Sequence, residues 1–353
     1  MHSLAKVKKP PLEALDYPHA QPPAPCALCE VASGVYWLRM PLPFALEHIN
    51  LWLLADGDGW TIVDCGFGSD ETRALWEQIM ATGLHGRPVT RILITHFHPD
   101  HFGLAAWLAE RWQIPVSMTE PEFAAAEAWH TARGLYTRDA HLALHRLHGL
   151  SHDAAARAAR MSRENLFRRG VAALPDRIVP LHDGDELRIN GRAWRVECGY
   201  GHSPAHATFH STELGVLIAG DMVLPRISTN VSLQPHSPEA DPLGQFLDSL
   251  AHYAELDATT LILPSHGLPF YGVRPRTAAL REHHEQRLQE LIVGCDEPRT
   301  GGELMPLIFK RQLDVQQTFF AMGETLAHLN YLKHRAQLAR VTDANGIYRF
   351  VRA

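Results

Sequence analysis

The segment from Thr95 to His101 concentrates the side chains best suited to chemistry. It follows the apolar run at residues 92–94 and carries four potential metal ligands: His96, His98, Asp100 and His101. Imidazole nitrogens and carboxylate oxygens are ligands for zinc, iron and manganese. His96 and His98 alternate with Phe97 in an extended segment, so they point to the same side of the chain and can share one ion. Asp100 and His101 follow at a predicted turn into a helix, which indicates a second ion.

Four more candidate ligands each follow a β-like run elsewhere in the chain: Asp64, His202, Asp221 and His266. Strands that end on one edge of a sheet bring such residues together. Taken singly, each has an ordinary interpretation as a turn residue, a helix cap or a loop histidine, and the 96–101 segment alone could be a histidine-rich loop without metal. Their joint occurrence favours a dinuclear metal site.

The pattern around these residues predicts an α/β (α+β) fold. Residues 1–30 are rich in proline and alanine and predict a loose N-terminal arm. Residues 31–272 alternate strand-like and helical runs, which predicts the domain that carries the ligands. Within it, residues at about 120–170 are helical almost throughout and predict an inserted lid or substrate wall. Residues 273–353 indicate helices near 275–293, 301–310 and 318–338 and then a hairpin, which predicts a small winged-helix-like domain.

Histidines and cysteines outside these motifs have simpler interpretations. The inserted region carries histidines 130, 141, 145, 148 and 152, whose partly helical spacing predicts a solvated or pocket-facing stripe rather than a third metal site. Cys26 and Cys29 form a CxxC pair with no second pair nearby, so we expect reduced thiols rather than a zinc ribbon. Cys65 and Cys198 lie near candidate ligands and are expected to be small core residues.

Composition narrows the classes of function. The 353 residues are 46% hydrophobic and 20% charged, which suffices for a large core and excludes global disorder. The formal net charge of −6 gives no basic footprint for nucleic acid. There is no transmembrane run, and Pro10 and Pro11 follow the N-terminal lysines where a signal peptide would need an apolar segment. We therefore expect a cytoplasmic protein that does not contact membranes.

The motifs at 96–101 (HxHxDH), Gly201–Ser203, Gly220–Asp221 and Ser265–Gly267 resemble those of the metallo-β-lactamase fold superfamily, over residues from about 33 to 272. The resemblance implies a four-layer αββα sandwich with two divalent ions between its sheets, Zn²⁺ being expected and Fe or Mn the alternatives. It further implies one ion held by His96, His98 and His202, a second held by Asp100, His101 and His266, and Asp221 bridging both. By the same resemblance, Asp64 lies behind the ligands and orients one of them or holds the loop. His206 is expected to support the motif or the pocket.

This resemblance also implies a reaction. Two ions lower the pKa of a water molecule between them, which then attacks a carbonyl carbon, while Asp100 orients it and carries a proton to the leaving group. The inserted helices and the C-terminal module resemble the glyoxalase-like and lactonase-like hydrolases of the superfamily. We therefore expect cleavage of a small thioester, ester or lactone, as in a thioesterase or lactonase. A β-lactamase proper is disfavoured, because the bridging carboxylate at Asp221 is usually replaced in those enzymes.

Two rivals belong to other classes. Some relatives with a terminal helical module cut RNA, and a rim of arginines could serve this role: Arg335, Arg340, Arg349 and Arg352. The negative net charge favours instead a surface that is solvated, packs on the sheet domain or forms a homodimer contact. The second rival is a sensor without activity, which the complete ligand set disfavours. Beside the motifs, four residues are candidate substrate contacts, although packing is the simpler role for each: His48, Tyr200, Arg226 and Tyr271.

Overall fold

The computed structural model describes residues 15–44, 46–151 and 163–353. Its larger sheet contains seven strands that lie side by side in chain order. The strands are β1 (Cys29–Ala32), β2 (Val35–Pro41), β3 (His48–Asp56), β4 (Gly59–Val63), β5 (Val89–Leu93), β6 (Val116–Met118) and β7 (Ile178–Pro180). Strands β1 to β4 are antiparallel, and β4 to β7 are parallel. The parallel half therefore ends at a single edge, where β5 delivers the histidine-rich segment.

A second sheet has five strands in the order β12-β11-β10-β9-β8. They are β8 (Glu186–Ile189), β9 (Arg192–Gly199), β10 (His206–Ser211), β11 (Val216–Gly220) and β12 (Leu261–Pro264). Strands β11 and β12 are parallel, so the residues that follow them, Asp221 and His266, emerge at the same edge. The short C-terminal hairpin consists of β13 (Leu338–Thr342) and β14 (Tyr348–Arg352).

Helices cover the outer faces of the two sheets. Those on the first sheet and in the insert are α1 (Asp70–Gln78, continued by a π-turn to Gly83), α2 (Pro99–Phe102), α3 (Ala105–Trp112), α4 (Glu120–Thr131), α5 (Arg138–Leu147) and α6 (Arg163–Gly170). Those on the second sheet and in the C-terminal module are α7 (Pro242–Ala254), α8 (Val273–Gly294), α9 (Gly301–Ile308) and α10 (Val315–His334). Among the described residues, none of the helices is both long enough and apolar enough to cross a membrane.

Three apolar clusters produce the layers. The central one joins the inner faces of both sheets through large side chains such as Trp37, Trp52, Trp194 and Phe209. The second packs the outer face of the first sheet against α1, α3 and α4. The third packs the second sheet against α7, α8 and the C-terminal module. Because each sheet is apolar on both faces, it must be covered on both sides, and the predicted αββα sandwich is confirmed.

The inserted helices pack against the C-terminal module. His141 and His145 on α5 and His148 directly after it are buried, and their rings contact Phe319 of α10 and the aromatic residues of β14. For these three histidines the predicted solvated or pocket-facing stripe is wrong, because the face of α5 that carries them is covered by the module. His152 lies outside the described residues.

The N-terminal arm is more ordered from residue 15 onward than its composition predicted. Asp16 forms a backbone bridge with Tyr271, and the ring of Tyr17 packs against Phe270. Strand β1 starts at Cys29 and pairs with β2. The predicted loose arm over residues 1–30 is therefore corrected for its described part. Backbone hydrogen bonds and aromatic contacts, including His19 with Trp37, attach a proline-rich segment that has no periodicity of its own.

Candidate metal centre

The seven predicted ligands meet at one edge of the sandwich, where strands of both sheets end. The segment with His96 to His101 follows β5, His202 follows β9, Asp221 follows β11, and His266 follows β12. They form two groups within which the candidate donor atoms lie within 4.8 Å of one another: His96, His98, His202 and Asp221 in the first, and Asp100, His101 and His266 in the second. This division is the one that the resemblance implied.

Asp221 faces both groups. Its Oδ2 lies 3.5 Å from Nε2 of His202 in the first group. Its Oδ1 lies 3.6 Å from Nε2 of His101 and 3.4 Å from Nε2 of His266 in the second. One carboxylate with an oxygen towards each group is the arrangement that a bridging ligand between two cations requires.

In the first group, ring nitrogens converge on one point. Nε2 of His96 lies 2.9 Å from Nδ1 of His98 and 3.2 Å from Nε2 of His202. His96 is fully buried, and burial together with the neighbouring histidines lowers its pKa well below the ordinary value. The ring is therefore neutral at physiological pH, which is the form of imidazole that binds a metal ion.

The second group contains buried polar atoms that the described residues do not satisfy. Nε2 of His101, Nε2 of His266 and Oδ1 of Asp221 have no hydrogen-bond partner among those residues, although they face one another. Burial lowers the pKa of His101, but Asp64, Asp100 and Asp221 outweigh it and raise this pKa to about 10. Because unsatisfied buried acceptors are costly and the carboxylates favour positive charge, the donor set fits a divalent cation.

Hydrogen bonds at Nδ1, on the side of each ring that faces away from the site, fix the orientation of three ligand histidines. Nδ1 of His101 lies 2.7 Å from Oδ2 of Asp64, Nδ1 of His202 lies 2.8 Å from the carbonyl oxygen of Asn230, and Nδ1 of His266 lies 2.8 Å from that of His48. An acceptor at Nδ1 keeps the proton there, so that Nε2 is left to face the site. Asp64 thus lies behind the ligands, where the resemblance placed it.

The backbone at Asp64 is left-handed, with φ of 62°. Its carboxylate accepts three hydrogen bonds, from the backbone N–H of Thr95 at 2.8 Å, from Oγ1 of Thr95 at 2.8 Å and from His101. A non-glycine residue in this conformation persists where its surroundings determine it. These hydrogen bonds connect the end of β4 to the histidine-rich segment after β5.

His206 supports the site without facing either group of ligands. Its Nε2 accepts a hydrogen bond of 3.1 Å from the backbone N–H of Asp221, and its ring stacks on His96 with centroids 4.6 Å apart. Gly220 makes this approach feasible, because a Cβ there would lie 2.3 Å from Cε1 of His206. The prediction that His206 supports the motif agrees with these contacts.

Sequence reasoning missed Glu122. This buried carboxylate accepts hydrogen bonds from the backbone N–H of Phe97 at 3.0 Å, from Oγ of Ser203 at 2.6 Å and from the backbone N–H of Ala205 at 2.7 Å. Burial raises its pKa to about 7 although these donors lower it. Glu122 therefore joins the two ligand-bearing loops, and nothing in the sequence distinguishes it from other glutamates at a helix start.

The four candidate substrate contacts have other partners. Nε2 of His48 accepts a hydrogen bond of 3.0 Å from the backbone N–H of Gly267, which holds the loop of His266. Tyr200 is 41% exposed, Arg226 lies over the ring of Tyr17, and Tyr271 pairs with Asp16. Of these, His48 supports the loop of His266, and Tyr200 lies in the loop between β9 and His202. The side chains that line the cleft beside the ligands are different ones.

That cleft opens next to His202 and has a volume of about 250 Å³. Its walls come from α4 and the residues after it, from residues 201–204, and from residues 232–242 together with Gln245. The sequence marked the insert as a substrate wall, and α4 does provide one side. The opposite side, from residues 232–242, had no signal in the sequence.

Comparisons with known proteins agree with this geometry. The family model described as metallo-beta-lactamase superfamily matches residues 46–266, and that described as metallo-beta-lactamase-like, C-terminal domain, matches residues 288–353. The "probable metallo-hydrolase YqjP" of Bacillus subtilis is 25% identical over 324 residues, covering 88% of this chain and 96% of that protein. The atrochrysone carboxyl ACP thioesterase of Aspergillus fumigatus is 23% identical over 297 residues, covering 80% of this chain and 75% of that protein.

A solved structure extends the similarity to the whole chain. The crystal structure of a beta-lactamase domain protein from Burkholderia ambifaria is 48% identical, with a TM-score of 0.87, and the match covers 97% of this chain and 99% of that one. The fold, the strand-end ligand cluster and the two matched family models lead to one assignment. The chain belongs to the metallo-β-lactamase superfamily of metallo-hydrolases and carries the C-terminal domain found with it.

Proposed function

We propose that this protein is a dinuclear metal-dependent hydrolase that cleaves a small thioester, ester or lactone. The observation that carries the proposal is the placement of Asp221, whose two oxygens face two separate sets of donors. His96, His98 and His202 would hold one ion, and Asp100, His101 and His266 the other. Zn²⁺ is the proposed metal because imidazole and carboxylate ligands suit it, and iron or manganese would suit the same donors.

Two divalent ions bound there would supply Lewis acidity and a nucleophile derived from water at neutral pH. The residues supply orientation and proton transfer. Burial raises the pKa of Asp100, but His101 and His266 outweigh it and lower this pKa to about 2, so the carboxylate is ionised. An ionised carboxylate at the site can accept a proton from attacking water and pass it to the leaving group.

A carbonyl substrate is supported by one relative and by the shape of the site. The relative named as a thioesterase acts on a carbonyl thioester, and its match covers most of this chain. The cleft beside His202 is small, below the range of roughly 300–1,000 Å³ in which ligand pockets usually fall. It therefore suits one acyl group better than a polymer.

Contacts of the C-terminal arginines do not favour the RNA-cutting rival. Arg335 pairs with Asp241, and Arg340 pairs with Glu239. The remaining two are also engaged: Arg349 pairs with Asp343 and Glu303, and Arg352 donates to the backbone carbonyls of Ile292 and Val293. Arg335 and Arg340 thus join the module to residues 239 and 241, and Arg349 and Arg352 make contacts within the module. Packing on the sheet domain is one of the alternatives to RNA binding that the sequence left open.

The test combines metal analysis of the purified protein with a substrate panel. We expect close to two ions per chain and hydrolysis of at least one member of a set of thioesters and lactones. Phosphodiesters and β-lactams are included as competitors. Turnover confined to phosphodiesters, or a protein that binds no metal under any loading condition, would overturn the proposal.

A further inference from the structure

The cleft beside His202 has no fixed charge. None of the described residues that line it is an aspartate, glutamate, lysine or arginine. The nearest acidic side chains are engaged elsewhere: Glu122 by the two ligand loops, and Asp241 by the backbone N–H of Gly244 and by Arg335. A positively charged ligand group would therefore be desolvated in the cleft without a countercharge, which is unfavourable.

Its walls combine flat aromatic surface with uncharged polar side chains, among them Gln234 and Gln245. The rings of Tyr136 and His236 stack with centroids 4.3 Å apart and an angle of 13° between their planes. Trp129 lines the same cleft from α4. Among the described residues, the side-chain oxygen of Gln234 is buried without a hydrogen-bond partner. Such a wall suits a small uncharged chain or ring.

One wall of the cleft is held in place by the C-terminal module. The backbone N–H of Leu233 donates a hydrogen bond of 3.0 Å to the carbonyl oxygen of Gly323 in α10. Nδ2 of Asn330, also in α10, donates to the carbonyl oxygens of Pro238 at 3.0 Å and Ala240 at 2.9 Å. A wall fixed in advance lowers the ordering cost of binding and makes the cleft selective.

The cleft lies on one side of the ligand cluster, and therefore on one side of the bond that would be cleaved. His202, a ligand of the first group, lines the cleft, whereas Asp100 and His266 of the second group do not. A substrate whose carbonyl carbon lies between the groups therefore extends one substituent into the cleft. The other substituent leaves beside Asp100, the group that can give it a proton.

We propose that this cleft binds the acyl group of the substrate and selects a small uncharged chain or ring against a positively charged one. The inference rests on the proposed hydrolase function and names the class of acyl group. Selectivity then resides in the acyl chain, whose surroundings include Gln234, and is independent of the leaving group.

Binding is measured first, by calorimetry on the metal-loaded protein, with two amides that are not thioesters. Heptanamide and 6-aminohexanamide have the same length and shape, but only the second carries a charge, an ammonium group that cannot ligate a metal. We expect heptanamide to bind at least tenfold more tightly. Equal binding, tighter binding of the ammonium compound, or no binding of heptanamide would overturn the inference.

Two variants locate the bound chain. Ala125 lines the cleft on α4, so Ala125→Leu should fill the cleft and weaken heptanamide binding at least tenfold. Its control, Ala124→Leu on the exposed side of α4, should not weaken binding.

Gln234→Glu should shift the preference at least tenfold towards 6-aminohexanamide. Its control, Gln289→Glu at an exposed position of α8, should leave the preference unchanged. If Gln234→Glu has no more effect than Gln289→Glu, the distal end of the chain is not in this cleft and the inference fails.

Kinetics separate this inference from the proposed function. The N-acetylcysteamine thioesters of heptanoic and 6-aminohexanoic acid are offered to the metal-loaded protein. We expect kcat/KM to be at least tenfold higher for the heptanoyl thioester. In Gln234→Glu this ratio should shift at least tenfold towards the 6-aminohexanoyl thioester. Failure to hydrolyse any member of the carbonyl panel counts against the proposed function, and the calorimetric preference decides the inference about the cleft by itself.

Discussion

The ligand cluster and the cleft beside it are adjacent, but they are held in place by different parts of the molecule. The cluster is fixed within the sandwich by strand ends and by hydrogen bonds from Asp64, His48 and Asn230. The cleft is walled by the inserted helix α4 and by residues 232–242, which α10 of the C-terminal module supports. If the proposed function holds, this difference predicts that the sandwich determines the reaction, and that the insert and the C-terminal module determine the substrate. Substitutions in the two regions should therefore change different kinetic constants.

The largest effect is expected at Asp221. Asp221→Asn removes the charge that faces both groups, and we expect bound metal to fall well below two ions per chain and kcat/KM to fall by about a thousandfold, roughly 4 kcal/mol. Metal analysis and kinetics on the best substrate measure both. Asp257→Asn, on an exposed turn, is the matched control and should change neither. Full metal content with nearly normal activity in Asp221→Asn would exclude Asp221 as a bridging ligand.

An intermediate effect is expected at Asp64, which contacts His101 and lies behind the cluster. Asp64→Asn keeps the size of the side chain but weakens its hold on the Nδ1 proton of His101. Supporting groups of this kind are worth about 10- to 100-fold in metal affinity or activity. Competition with a chelator measures the affinity, and thermal unfolding of the metal-free protein shows whether the variant is folded. Unchanged affinity in a folded variant would refute this role.

A smaller effect, on a different constant, is expected at Asn330. Asn330→Ala removes two hydrogen bonds to the wall of the cleft, so KM should rise roughly tenfold, about 1.4 kcal/mol, with metal content and kcat nearly unchanged. Asn345→Ala, in the exposed turn of the C-terminal hairpin, is the matched control. Loss of metal, or a fall in kcat without a change in KM, would show that α10 supports the reaction and not the cleft.

The smallest effect concerns the contact between the insert and the C-terminal module. Burial, with added repulsion from His141 and His148, lowers the pKa of His145 to about 3. Because this pKa lies below the unfolded value of about 6.5, the unfolded chain takes up the proton first. The contribution of neutral, buried His145 to the free energy of unfolding is therefore complete above a pH of about 6.5. It is lost as the pH falls towards about 3.

Unfolding of the metal-free protein at pH 7.5 and at pH 5.5 tests this contribution. The wild type should lose roughly 1 kcal/mol more than His145→Leu between these conditions, since each unit of pH is worth at most about 1.4 kcal/mol per group. His85→Leu, on a turn away from the insert, controls for the loss of any histidine. Parallel pH dependence in all three proteins would show that His145 is not a buried neutral group.

The fold class, several helix bounds and the ligand cluster could be predicted from residue types and short-range spacing. The fold class followed from alternating strand and helix patterns, and the helices of the C-terminal module lie within a few residues of their predicted bounds, as for Val273–Gly294. The cluster was predictable because strand ends deliver His96 and Asp221 to one edge whatever the loops between them do. The buried histidines of α5 and the ordered part of the N-terminal arm were misjudged, because their partners lie far away in the chain.

The sequence by itself determined which side chains could hold two cations, since ligand chemistry is carried by residue type and short spacing. Only the tertiary structure decided that Glu122 joins two ligand loops and that residues 232–242 wall a cleft without charged side chains in its described lining. Those features depend on contacts between segments 80 or more residues apart, such as Glu122 with Ser203 and Asn330 with Pro238. Distances of that kind are set by how the layers pack, and no local pattern encodes them.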